Sequence, residues 1–130
     1  MARKRKYLDD IGYTDRPDTW FKDSKRQKTW RKQRKKYGFD NREVWNMDLA
    51  FYLWLYERLM RYKEITPVVL EFHKFDFEGK TYTQGELIDE MIKRLRFYLS
   101  DKYKESNDEH FDYVNKVQYM WAEILHSMWY

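Results

Sequence analysis

No cysteine occurs among the 130 residues, which excludes disulfides and thiolate-held metals and agrees with a reducing cytosol. Glycine is scarce, with four residues, and none sits in a loop of the kind that cradles phosphates. Serine is equally rare: Ser24, Ser100, Ser106 and Ser127 lie outside any nucleophile-elbow pattern. No apolar run is long enough to span a bilayer, and the charged start, Met1 to Lys6, is not followed by a signal-peptide apolar segment. These absences predict a soluble intracellular protein that is not an enzyme, holds no cofactor and has no membrane partner.

Two weak chemical patterns remain. Glu123 and His126 have the Glu-x-x-His spacing of helix-bundle carboxylate sites, but such sites need a second pair and two more glutamates. His73, His110 and His126 are too scattered to form a metal site. Asp76 with Glu78 and Lys80 has the acid and Glu-x-Lys spacing of metal-dependent nucleases. Here Glu78-Gly79 reads as a hairpin turn, which points those side chains apart.

What the chain has in quantity is charge and aromatic surface. Charged residues make up 37% and aromatics 20% of it. The net charge of +4 is unevenly placed. Residues 1–36 hold fourteen Lys/Arg against five Asp, a balance of +9, and residues 37–130 carry −5. The densest stretch runs from Ser24 to Tyr37 and contains Lys25, Arg26, Lys28, Arg31, Lys32, Arg34, Lys35 and Lys36 with no acid between them. Such a run of one sign predicts a polyanion partner. Ser24 and Gln27 have the spacing of a capping box, so a helix is expected from there to about Lys36. Its charges lie nearly all round, and Trp30 is its one apolar contact, so the helix is expected to stand off the core. The candidate nucleic-acid residues are these eight cations, Trp30 as a stacking group, and Arg3, Lys4, Arg5 and Lys6 of the arm.

The remaining chain reads as a domain. Asp40 to Glu43 forms a capping box for a long apolar helix ending before Pro67, with Val44, Trp45, Met47, Phe51, Tyr52, Leu55, Leu59 and Tyr62 as the central core and Asp48 a buried carboxylate. A hairpin is expected at about residues 68–83. Thr83 to Glu86 caps an amphipathic helix ending near Ser100, with Glu90/Arg94 and Asp89/Lys93 paired on its outer face. Ser106 to Glu109 opens a last helix with Phe111, Val114, Val117, Trp121, Ile124, Leu125 and Met128 inward. The expected fold is mainly α, of the α+β class: a three-helix core with one short β-hairpin over residues 37–130, preceded by a basic N-terminal arm and helix over residues 1–36.

Three segments, ARKRKYLDDIG (2–12), YGFDNREVWNMDLAFYLWLYERLMRY (37–62) and HKFDFEGKTYTQGELID (73–89), make the chain resemble a family of small accessory proteins of tailed bacteriophages. In that family a basic arm precedes a Gly-Phe-Asp-x-Arg-Glu-x-Trp-x-x-Asp helix start. The resemblance implies an early phage protein acting in the host cytoplasm, a class that includes anti-CRISPR and other host-defence inhibitors. The first expectation is a non-catalytic protein binding a host nucleoprotein, such as a CRISPR effector with its guide RNA, through its basic segment and its helical body. The alternatives are a DNA- or RNA-binding protein of phage replication, transcription or packaging, and a virion structural or assembly protein.

Overall fold

The computed structural model describes residues 4–66 and 73–128. The chain is mainly helical with one two-stranded antiparallel hairpin, the α+β class expected. It divides into two compact units, Met1–Glu57 and Arg58–Tyr130. The division falls inside a helix, between residues 57 and 58.

In the first unit, α1 (Lys6–Asp10) buries Leu8 completely, and a 3-10 turn, Pro17–Thr19, buries Pro17. α2 (Gln27–Tyr37) starts later than the Ser24 pattern predicts. The Ser24 hydroxyl accepts from the Arg26 N–H at 3.0 Å, and the Gln27 amide donates to the Phe21 carbonyl at 2.7 Å. Both side chains therefore fix the turn before the helix, and no side chain caps α2. Gly38 ends it in the left-handed conformation, φ 87°, with its N–H donating to the Arg34 carbonyl.

α2 does not stand off the core. Trp30 is 2% exposed and meets Trp45 edge-on at 6.2 Å and Phe21 at 6.4 Å between ring centroids. Its neighbour α3 (Asn41–Trp45) is capped by Asp40, whose carboxylate accepts from the Arg42 N–H at 2.9 Å, and by the Gln33 side chain, which accepts from the Asn41 N–H.

The long helix expected from residue 41 is broken at Asn46, φ −140° and ψ 74°, before α4 (Met47–Ile65). The break turns the apolar pattern. Val44, Trp45 and Met47, expected in the core, are about half or more exposed. Leu49, Tyr52, Leu53, Leu55, Tyr56 and Leu59 are buried, and Phe51 and Tyr62 are half-buried. Asp48 is exposed, its carboxylate accepting from the Leu49 N–H at 2.9 Å in the first turn, so it is no buried acid.

In the second unit, β1 (Lys74–Phe77) pairs with β2 (Lys80–Thr83), Lys74 opposite Thr83 and Phe77 opposite Lys80. The turn between them has positive φ at both Glu78 and Gly79, the geometry that matches strand twist in a two-residue hairpin. The part of the expected hairpin at residues 68–72 lies outside the described residues. α5 (Gln84–Tyr98) opens with the reciprocal Thr83/Glu86 capping box and buries Leu87, Ile88, Met91, Ile92 and Leu95. Glu90 and Arg94 pair at 3.0 Å, whereas Asp89 is engaged by Lys63 of α4. The last helix is two, α6 (Asp108–Asn115) and α7 (Val117–Ile124), followed by a 3-10 turn, Leu125–Ser127. Asn107, not Ser106, is the cap. Val114, Val117, Met120 and Ile124 are buried, while Phe111 and Leu125, expected inward, are exposed. Among the described residues no helix is long and apolar enough to cross a membrane.

Candidate nucleic-acid interface

The basic residues of the first unit fall into two groups. Lys25, Arg26, Lys28, Arg31, Lys32, Lys35 and Lys36 are exposed on or just before α2. Among the described residues none of the seven makes an ion pair; Lys36 lies 5.2 Å from the centre of the Tyr37 ring. Lys28/Lys32, Arg31/Lys35 and Lys32/Lys36 repel at i,i+4 spacing, each pair costing about 0.2–0.5 kcal/mol. Bound anions would remove that cost.

The second group is neutralised internally. Arg34 is half-buried and donates to Asp40 at 2.6 Å. Arg5 pairs with Glu57 and lies 4.0 Å from Asp18. Burial opposes its charge, yet the hydrogen bond and charge of Glu57 outweigh it and hold the guanidinium above its ordinary value. Lys6 pairs with Asp10 at 2.8 Å. Lys4 is exposed, and Arg3 lies outside the described residues. Trp30, expected as a stacking group, is interior and has no face to offer a base.

Beneath α2 lies a charged floor that local pattern reading missed. Arg42 is 1% and Asp40 3% exposed. The Arg42 guanidinium donates twice to the Asp40 carboxylate, at 3.1 and 2.9 Å, and once to the Trp20 carbonyl at 3.0 Å. Burial pushes the Asp40 carboxyl up, but the hydrogen bonds from Arg42 and Arg34 prevail and hold it below the ordinary carboxylate range. A buried acid bracketed by two arginines is matched, so it takes no charge from the outer cations. The Asp40-x-Arg42 spacing beside a cap was the one available sequence signal.

A second cluster ties the arm down. Arg16, 5% exposed, donates to Asp9 at 2.8 Å. The Arg5 N–H and Arg16 guanidinium keep the Asp9 carboxyl below its ordinary value. Among the described residues both Asp18 carboxylate oxygens are buried without a hydrogen bond, and Oδ1 lies 4.0 Å from Arg5 and 3.9 Å from Arg16 Nε.

Between these clusters and α2 the unit forms a polar cavity of about 570 Å³, open to solvent on one side. Lys22 and Gln27 line it together with Arg31, Arg34 and Lys35. No motif marks Lys22, and the capping pattern that marks Gln27 does not point to a cavity; what makes them neighbours is the turn between Phe21 and Gln27.

The remaining chemical patterns do not assemble. Asp76 accepts from the Thr81 hydroxyl at 2.7 Å, and Glu78 pairs with Lys116. Among the described residues there is no group of three or more His, Asp or Glu able to hold a metal. No protein family, curated protein or solved structure matches the chain.

Proposed function

We propose that the chain is a non-catalytic nucleic-acid-binding protein that lays the exposed face of α2 along a phosphate backbone. The observation that carries this reading is the group of seven exposed cations, Lys25 to Lys36, without an ion pair among the described residues, beside acids that are already matched by other arginines. Seven like charges held within twelve residues are electrostatically unfavourable in the free protein and favourable on a polyanion. Lysines and arginines on a helix face contact phosphates without reading bases, so the expected binding tolerates sequence.

The target that fits best is nucleic acid within a host nucleoprotein, a role consistent with the phage-protein resemblance. Support comes from Val44, Trp45 and Met47, apolar side chains exposed at the α3–α4 break. Aromatic and Met side chains are enriched where proteins dock. The test is capture from host lysate with and without nuclease. Retention of one protein partner after nuclease supports nucleoprotein docking, and loss of all partners leaves nucleic-acid binding alone.

A further inference from the structure

The cavity beside α2 has chemistry that the open helix face lacks. Six cationic and three anionic side chains line it. Three of the cations are consumed inside the protein: Arg34 and Arg42 by Asp40, and Arg5 by Glu57. Lys22, Arg31 and Lys35 remain, exposed and, among the described residues, without an ion pair. Arg31 and Lys35 are one turn apart on α2, so they flank one side of the opening, and Lys22 comes from the preceding loop.

A fourth group is oriented rather than charged. The Gln27 amide nitrogen donates to the Phe21 carbonyl at 2.7 Å. That bond fixes the amide plane and leaves the carbonyl oxygen, without a donor among the described residues, as an acceptor on a residue that lines the cavity. The volume of about 570 Å³ lies in the range of roughly 300–1,000 Å³ that holds small ligands.

We propose that this cavity binds one nucleotide unit through a phosphomonoester held by Lys22, Arg31 and Lys35, with the Gln27 carbonyl oxygen accepting from a sugar hydroxyl or base amine. A monoester is favoured over an internal diester by charge. A phosphomonoester carries about −1.5 to −2 near neutral pH, which matches three unpaired cations better than the single charge of a backbone phosphate. The oriented acceptor selects a ligand with both an anion and a donor over inorganic phosphate. For a chain terminus the proposal rests on the nucleic-acid reading of α2; for a free mononucleotide it does not.

The experiment compares oligonucleotides of one sequence carrying a 5′-phosphate, a 3′-phosphate or only hydroxyl ends, with AMP as a separate ligand, against the full chain and Lys22→Ala. Lys22 makes no bond that holds the fold among the described residues and is not on α2, so its loss separates the cavity from the helix face. The expected result is that one phosphorylated end binds about tenfold tighter than the hydroxyl end, the effect of one charge-assisted contact. Lys22→Ala should abolish that preference and leave the hydroxyl-ended affinity within about twofold. AMP binding lost in Lys22→Ala, even where no oligonucleotide binds, also supports the cavity and refutes only the α2 reading. Equal affinity for all three ends together with no AMP binding overturns the cavity and leaves the α2 reading intact. Phosphate-end or AMP binding unchanged in Lys22→Ala also overturns it.

Discussion

The Arg42 guanidinium lies 4.3 Å from the centre of the Trp30 indole, and both side chains are almost wholly buried. A residue of the basic helix thereby covers a cation of the segment that follows it. Asp40 supplies the counter-charge and Trp20 a carbonyl, so Arg42 is satisfied on its edge by oxygen and on its face by the ring. The same helix that presents five of the seven exposed cations outward closes the interior of the first unit. Charge display and folding are carried by opposite faces of one element.

Trp30→Ala removes the ring from that interior. The expected loss is about 3–5 kcal/mol of stability, the range for a buried tryptophan reduced to alanine. Denaturant unfolding followed by circular dichroism measures it. A loss under about 1 kcal/mol would contradict the buried position.

Removing residues 1–36 takes away Leu8, Trp30 and the Arg5 partner of Glu57 together. A basic tail with no part in folding could be removed freely; this segment supplies buried side chains and an ion pair of the first unit. Hydrogen exchange of the truncated chain should show lost protection over residues 41–57. Unchanged protection there would restore the view of the arm as a separate element.

Asp40 makes the first unit acid-sensitive. Its carboxyl is held below the ordinary value in the folded state, so the unfolded chain binds the proton more readily. The stabilisation is complete above the unfolded value near 3.8 and is lost as pH falls through the lower folded value. Asp9 and Glu86 are shifted in the same direction. Asp40→Ala leaves Arg42 buried and unpaired, with an expected cost of about 3–5 kcal/mol at neutral pH and a shallower pH dependence below pH 4. Thermal unfolding at pH 7 and pH 3 gives both quantities.

Asn107 accepts from the Glu109 and His110 N–H groups at 3.0 and 3.2 Å. Asn107→Ala should cost about 0.5–2 kcal/mol, and Ser106→Ala should be close to neutral. Equal effects of the two substitutions on the melting temperature would misplace the cap.

The elements most legible in the sequence are those fixed by local chemistry. Thr83 and Glu86 start α5 where their spacing requires, and Glu78-Gly79 makes the hairpin turn. The interior of the first unit was hidden for a physical reason. Trp30 is a single apolar residue in a charged helix, and its burial depends on Phe21, Trp45 and Arg42, which only the folded chain brings to it. The Asn46 break was equally silent, since Trp45 and Met47 fit an apolar helical pattern on either side of it. Of the candidate site, the exposed lysines and arginines were read directly from charge density. That Arg5 and Arg34 are matched by Glu57 and Asp40 was not readable, because Glu57 is distant in sequence and Asp40 is reached only across the Gly38 turn.

The most direct measurement is the salt dependence of binding to a single-stranded RNA or DNA oligonucleotide by fluorescence anisotropy. Contacts by four to seven of the exposed cations between Lys25 and Lys36 predict a slope of log affinity against log salt of about −3 to −6, at roughly −0.7 to −0.9 per phosphate. Lys28→Ala with Lys32→Ala should reduce that slope by about 1.4–1.8 without loss of stability. An affinity insensitive to salt, or a slope unchanged by the double substitution, would contradict a phosphate-binding role for α2.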